Sequence, residues 1–208
     1  MPVMGIEAIY CAPDSSKANQ EHKIYPYLLK GFSIREANQV WATDITYIAM
    51  GKGFMYLMAI IDLYSRYVLE WSVSNTMESE WCRKVLKKTL VKHSKPALFN
   101  TNQGSEFTAD LFVEVLLSNG IQPSLDGKGR AIDNIFVERL WRSVKYEDIY
   151  LKSYEDGWQL EKGMDSYFRF YNQERPHQSL NYQTPKKVYK DACLIGKPPA
   201  EKADKVDN

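Results

Sequence analysis

Three strand patterns joined by tight turns constrain the fold of this chain most strongly. The first begins at Val40 and reads VWATDITYIAM, with Trp41, Thr43, Ile45 and Tyr47 on one face and Ala42, Asp44 and Thr46 on the other. The second, FMYLMAIID, follows the turn GKG and is apolar on both faces, which is typical of an interior strand. The third, YVLEWSV, follows the turn LYSR. Such closely spaced strands predict an antiparallel meander.

After this meander the apolar residues recur at helical spacing. The order predicted is a helix around residues 82–90, the strand PALFN, a helix from about Thr108 to Asn119-Gly120, a short strand IQPSL, a helix over about 131–147 and a long helix around 160–171. Three antiparallel strands followed by alternating helices and strands predict one mixed α/β sheet with helices on its faces.

The overall charge and the cysteines exclude several classes of protein. The net charge is only +1, so any contact with a polyanion must use a local basic patch. The three cysteines are widely spaced and predict neither a disulfide framework nor a metal knuckle. No apolar run approaches the length of a membrane span, and the N-terminus has no secretory pattern. We therefore expect a soluble protein of the cytoplasm.

Three polar positions are candidates for a site. Asp44 lies in the middle of the first strand, Asn102 follows the fourth strand, and Glu138 lies in the helix over 131–147. Oxygen ligands of this kind suit Mg²⁺ or Mn²⁺, and a pair of such ions about 3.5–4 Å apart catalyses phosphodiester chemistry. Structural readings remain open from the residues alone, because Asp44 can be ion-paired, Glu138 can be a solvated helix residue and Asn102 can serve a turn.

Four motifs carry a resemblance to a known family. WATDITYI, FNTNQGSEFT, AIDNIFVERLWRSVKYE and YNQERPHQSLNYQTP occur here in an order and spacing that resemble those of bacterial insertion-element transposases. The resemblance is to the second-reading-frame type, which has a retroviral-integrase-like catalytic core, and it covers about residues 4–190. It implies a ribonuclease H-like fold and a DNA-cleaving and strand-transferring polynucleotidyl transferase. The last of the motifs favours a transposase over a host nuclease of the ribonuclease H type.

The resemblance also implies the ligands of the two metal ions. In the family two Asp and one Glu bind Mg²⁺ or Mn²⁺, with 35 residues between the second Asp and the Glu, and 35 residues separate Asn102 from Glu138 here. Asp44 and Glu138 therefore match the first and third acids, and Asn102 stands where the family has the second. An amide is uncharged, so we expect weaker metal binding and impaired catalysis. We expect Asn102→Asp to restore metal-dependent joining.

Basic residues near the predicted site are candidates for DNA contacts. Asn134, Glu138, Arg142 and Lys145 share one polar stripe of a helix, and the resemblance implies that Arg142 and Lys145 contact DNA phosphates. The glycine-containing loop DGKGR adds Lys128 and Arg130. Two roles remain open for Arg175 and His177, which could contact DNA or brace the catalytic helix.

The sequence predicts a chain divided into three parts. Residues 1–38 are expected to be the remnant of an N-terminal DNA-binding region with its linker, residues 39–190 the integrase-type core, and residues 191–208 a flexible tail. The partners expected are the element ends, target DNA and further copies of the chain bound to DNA, with no membrane and no small-molecule cofactor. The alternative functions are a non-catalytic DNA-binding module that poisons multimers and a ribonuclease H-like nuclease.

Overall fold

The sheet of the protein has five strands. The computed structural model describes residues 25–51, 53–126 and 134–195. Within these ranges the strands are β1 (Val40–Ala49), β2 (Phe54–Asp62), β3 (Val68–Ser74), β4 (Leu98–Thr101) and β5 (Gln122–Leu125). Residues 1–24 of the predicted remnant at 1–38, the loop residues Lys128 and Arg130, and the tail beyond Ile195 lie outside the described residues.

Helices occupy both sides of the sheet. They are α1 (Ser79–Lys92), α2 (Ser105–Thr108), α3 (Asp110–Ser118), α4 (Ile135–Val144), α5 (Tyr150–Lys152), α6 (Gly157–Gln173) and α7 (Pro185–Ile195). A π-helical segment, Lys145–Ile149, joins α4 to α5, so that residues 135–152 form one continuous helical rod. None of the described helices is both long and apolar enough to cross a membrane.

The strand order is β3-β2-β1-β4-β5, with β1 at the centre. β1 pairs antiparallel with β2 and β2 antiparallel with β3, which confirms the meander. β4 pairs parallel with β1, and β5 parallel with β4. The parallel β1–β4 pairing brings residues that follow β4 next to the middle of β1, because Ala42 lies opposite Asn100.

Two apolar clusters cover the two faces of the sheet. On one face Ala42, Ala59 and Ile61 pack against α4 and α6, and on the other Trp41, Met58 and Ile60 pack against α1 and α3. Successive strand residues alternate between these clusters, as the period of two requires. β2 is buried on both faces, which confirms the prediction of an interior strand.

Two predicted boundaries differ from the structure. The helix expected from about Thr108 begins one turn earlier, as α2 at Ser105, and a break at Ala109 separates α2 from α3. This earlier turn is helical because Gly104 adopts an extended conformation and its carbonyl accepts hydrogen bonds from the N–H groups of Phe107 and Thr108. Residues 191–195, which were expected to belong to the tail, form the last turn of α7.

Candidate active site

Asp44 occupies the middle of the central strand. It pairs with Ala59 of β2, and its side chain is half-buried on the face that α4 covers. An acid at such a position needs hydrogen-bond donors or a cation, since burial penalises the charged form. The structure supplies two side-chain donors, one to each carboxylate oxygen.

The first donor is Asn102, directly after β4. Its Nδ2 donates to Oδ1 of Asp44 at 2.8 Å. Its Oδ1 accepts the backbone N–H of Gly104 at 2.7 Å. The backbone N–H can only donate, so it selects the amide oxygen and leaves the NH₂ group for Asp44. The side chain at position 102 thus contacts the first acid, as the sequence predicted, but with nitrogen facing it.

The second donor is Trp141 of α4, which sequence reasoning missed. Its indole Nε1 donates to Oδ2 of Asp44 at 3.0 Å, and only 6% of the residue is exposed. Trp141 lies among the apolar residues of α4, so its periodicity signals only a core position. An indole N–H that is buried usually finds an acceptor, and that rule was the one available signal.

Burial raises the pKa of the Asp44 carboxyl above its ordinary value. The hydrogen bonds from Trp141 and from the backbone of Ile45 act in the opposite direction. The negative charges of Glu106 and, more weakly, Glu138 add to the upward shift. Asp44 is therefore an acid that a nearby cation would bring towards full ionisation.

Glu138 lies in the first turn of α4 with an exposed side chain. It is close enough to Asp44 to affect its pKa, but it forms no hydrogen bond or ion pair with another described residue. A carboxylate that is exposed and free of protein partners can accept an ion or a water molecule without breaking a contact. The structure thus brings Asp44 and Asn102 together and leaves Glu138 nearby.

Glu106 of α2 is a further acid beside this group, which sequence reasoning did not single out. It is only 8% exposed, and its Oε1 lies beside Gly104 on the side where Asn102 Oδ1 also lies. The one sequence signal for Glu106 was its position only four residues after Asn102. It went unnoticed because the helix was expected to begin after it.

The donor atoms are suited to a hard divalent cation, although they are not assembled into a ready site. Carboxylate oxygens of Asp44, Glu106 and Glu138 and the amide oxygen of Asn102 are the ligand types that Mg²⁺ and Mn²⁺ prefer. No group of three Asp, Glu, His or Cys side chains within the described residues is already arranged to hold a metal. Binding therefore requires side chains to move, and the amide NH₂ of Asn102 is the group that must yield.

The polar stripe of α4 is partly as expected. Arg142 is exposed, with its guanidinium 5.9 Å from the ring centre of Tyr146, and Lys145 is half-buried. Lys145 lines a cavity of about 530 Å³ at the end of β1, beyond Asp44. Asn134 was also expected on this stripe. It is instead the buried residue directly before α4 begins.

Arg175 braces the helical rod that carries Glu138. Its Nε donates to Oε2 of Glu147 at 2.9 Å, and its Nη2 donates to Oε1. The hydroxyl of Tyr167 donates to the same carboxylate at 3.0 Å. Of the two roles left open for Arg175, the geometry therefore supplies the bracing one.

His177 packs edge-on against the ring of Tyr171, with ring centres 4.8 Å apart. Burial, with the neighbouring Arg175 charge, lowers the pKa of His177 to about 4. The imidazole is therefore uncharged at neutral pH and adds no positive charge for DNA.

Known proteins resemble this chain in sequence. Two models of the integrase core domain match it, one at residues 35–131 and one at residues 119–185. It is 32% identical over 158 residues to the transposase for insertion sequence element IS904 of Lactococcus lactis subsp. lactis (strain IL1403), covering 74% of this chain and 62% of the relative. It is 28% identical over 161 residues to the putative transposase InsK for insertion sequence element IS150 of Escherichia coli (strain K12), covering 76% and 56%. The chain thus spans about three fifths of the length of these relatives.

Solved structures share the fold. The HTLV-2 integrase catalytic core domain in complex with magnesium superposes with a TM-score of 0.60 at 20% identity, covering 74% of this chain and 97% of that chain. The simian T-cell lymphotropic virus intasome in complex with PP2A regulatory subunit B56 gamma gives a TM-score of 0.67 at 18% identity, covering 91% and 66%. The chain has the ribonuclease H-like fold that the motif resemblance implied, and its sheet is the mixed one that the order of elements predicted.

Proposed function

Because the chain belongs to the integrase core domain family, together with bacterial insertion-element transposases, we propose that it acts on DNA as a transposase core. The proposed reaction is metal-dependent cleavage and strand transfer of DNA phosphodiesters. The observation that carries it is the direct contact between Asp44 and position 102 at the centre of the sheet, with Glu138 nearby on α4. These are the three positions at which the family has its acids.

The residues present fit a hard divalent ion in type, though with one charge fewer than the family provides. Asp44, Glu138 and the carbonyl oxygen of Asn102 would hold Mg²⁺ or Mn²⁺, which would supply activation of the attacking oxygen and stabilisation of the leaving one. Trp141 fixes the orientation of the Asp44 carboxylate through its hydrogen bond. Arg142 and Lys145, further along the same rod, would hold DNA phosphates.

Asn102 weakens this machinery for a specific reason. Its NH₂ group occupies Oδ1 of Asp44, and its oxygen is engaged by Gly104. An amide brings no negative charge, and its N–H groups face the place where a cation would bind. We therefore propose that this copy joins DNA poorly.

Asn102→Asp tests the proposal. We expect Mg²⁺-dependent joining of a 3′-hydroxyl DNA end to a target plasmid to rise at least about tenfold, because a carboxylate replaces the amide. Both forms should carry the same sequence-specific DNA-binding domain fused at the N-terminus, so that recognition of the ends does not limit the reaction. Asn181→Asp, an exposed substitution of the same type, is the matched control. Equal joining by the unchanged protein and by the Asn102→Asp variant would contradict the proposal.

A non-catalytic DNA-binding module is the second candidate. The observation that favours it is that both oxygens of Asp44 already accept hydrogen bonds from the protein. Such a chain would bind DNA and other copies of a transposase without joining strands. Gel-shift affinity that is the same in EDTA and in Mg²⁺, with no joining by either form, would favour this module over the enzyme.

A further inference from the structure

Glu106 is a buried carboxylate for which the described part of the protein offers no partner. It is 8% exposed, lies in the first turn of α2, and forms no hydrogen bond or ion pair with another described residue. The six ion pairs between described residues all involve other acids. A carboxylate on a largely buried side chain that pairs with no described residue can ligate a cation without giving up a protein contact, so the position suggests that a cation completes it.

The charge of Glu106 affects two neighbouring groups, Cys82 on α1 and Asp44 on β1. Burial, followed by the charge of Glu106, raises the pKa of the Cys82 thiol on α1 to about 12. The charge of Glu106 also raises the pKa of Asp44, and it does so more strongly than the charge of Glu138. Glu106 is therefore the acid that is electrostatically coupled most closely to Asp44.

Gly104 makes the approach of two oxygen atoms possible. A Cβ at this position would lie 2.8 Å from Oδ1 of Asn102 and closer still to Oε1 of Glu106. The backbone φ of Gly104 is −60°, which any residue adopts, so the glycine is required here for space and not for conformation. The absence of a side chain thus lets the amide oxygen of Asn102 and the carboxylate of Glu106 face the same small volume.

We propose that Glu106 replaces the carboxylate missing at position 102 and, with Asp44 and the amide oxygen of Asn102, retains one divalent cation. Two carboxylates balance the charge of one such ion, and the remaining lone pair of the amide oxygen can ligate it while Gly104 holds the other. Rotation about the side-chain torsions of Glu106 brings its carboxylate to the ion. This inference rests on the proposed function of the site, and it assigns the retained metal to a residue outside the three family positions.

Metal titration of the protein without DNA tests the inference. We expect calorimetry to show one Mn²⁺ or Mg²⁺ ion bound per chain, and Glu106→Gln to weaken binding at least about tenfold, the loss typical even of an outer partner of a metal. Glu161→Gln, an exposed substitution of the same type on α6, should bind as the unchanged protein does. Unchanged affinity in Glu106→Gln, or no ion bound by the unchanged protein, would overturn the inference.

A second variant keeps every ligand and changes only the space. Gly104→Ala should displace the carboxylate of Glu106 and weaken the ion to a similar extent, while thermal melting in EDTA shows whether the fold persists. Combining the variants tests whether Glu106 compensates for Asn102. In the Asn102→Asp background, Glu106→Gln should lower metal affinity less than about threefold, because position 102 then carries a carboxylate. Equal losses in both backgrounds would refute compensation. DNA joining is measured separately with the Asn102→Asp variant, and its absence there would contradict the proposed function without affecting the metal titration.

Discussion

At residue 102 the choice between an amide nitrogen and a carboxylate oxygen changes what Asp44 contacts. With Asn102 the two side chains form one neutral-to-charged hydrogen bond, and the indole of Trp141 completes the set. With an acid at 102, two carboxylates would face each other and would require a cation. One atom therefore decides whether position 102 donates a hydrogen bond to Asp44 or adds a second negative charge beside it.

Trp141→Phe tests the hydrogen bond to Asp44 at this scale. The variant keeps the packing but leaves Oδ2 of Asp44 without its donor, so the free energy of unfolding should fall by about 1–3 kcal/mol at pH 7. The pKa of Asp44 should rise further, because the indole hydrogen bond lowers it.

The pH dependence of this loss has a definite sign. Asp44 has a folded pKa above its unfolded value, so its contribution to stability is present below the unfolded pKa and is lost as pH rises through the folded one. Trp141→Phe should therefore cost more at pH 7 than at pH 3, measured by urea unfolding at both values. Trp158→Phe, at an exposed position of α6, is the control. An equal cost at the two pH values would show that the indole serves packing alone.

Among the elements, the helical rod of residues 135–152 decides where Glu138 lies. The rod packs on the sheet through Val137, Leu140 and Val144, and its π-helical segment carries Glu147 to Arg175 beyond the end of α6. The rod and the end of α6 are thus fixed to each other. We expect loss of the Arg175–Glu147 contact to shift Glu138, which projects from the same rod.

The brace can be tested by a double-mutant cycle of Arg175→Met and Glu147→Gln. Each single change should lower the free energy of unfolding by about 1 kcal/mol, since the pair is bidentate but partly exposed. The two losses should not add, because they remove one interaction. Burial would raise the pKa of Glu147, but the hydrogen bonds from Arg175 and Tyr167 outweigh burial and leave it lowered.

A lowered acid pKa fixes how the brace responds to acid. The stabilisation from Glu147 is present above its unfolded pKa and is lost as pH falls through the folded one. The coupling measured by the cycle should therefore be present at pH 7 and be lost in acid, below the ordinary glutamate pKa of about 4.3. Arg169→Met with Asp165→Asn, an exposed pair on α6, serves as the comparison and should show less coupling. Additive losses at pH 7 would contradict the brace.

For the whole molecule, the charge balance means that any affinity for DNA must come from a local surface. A net charge of +1 gives no general attraction for a polyanion. Arg142 and Lys145 lie on the same rod as Glu138, on the face of the sheet opposite α1. The distribution of charge, and not its sum, therefore determines where DNA is expected to lie.

Arg142→Ala and Lys145→Ala should each weaken DNA binding and reduce the slope of log affinity against log salt by about 1. The reason is that each substitution removes one phosphate contact and the counterion released with it. Fluorescence anisotropy with a labelled duplex at several salt concentrations measures both quantities. Lys84→Ala, exposed on α1 at the opposite face, should change neither. Unchanged slopes in Arg142→Ala and Lys145→Ala would show that DNA binds elsewhere.

The positions of the elements were accessible from the sequence, and most of the contacts were not. Alternation along β1, the continuous apolar run of β2 and the helical spacing in α6 indicate which residues are buried, because burial follows local periodicity. The start of α2 was missed because Gly104, and not a side-chain cap, begins that helix. The motif spacing placed Asp44, position 102 and Glu138, since spacing along the chain is preserved when a fold is shared.

By itself the sequence determined the mixed sheet and the order of its elements, and it predicted three site positions. Only the tertiary structure decided which atoms meet: Asn102 and Trp141 reach Asp44 across 58 and 97 residues of chain. The role proposed for Glu106 depends on the space left by Gly104, and the brace at Arg175 depends on the π-helical segment that carries Glu147. The physical reason is that periodicity fixes the face of an element, whereas a hydrogen bond between elements depends on how those faces pack.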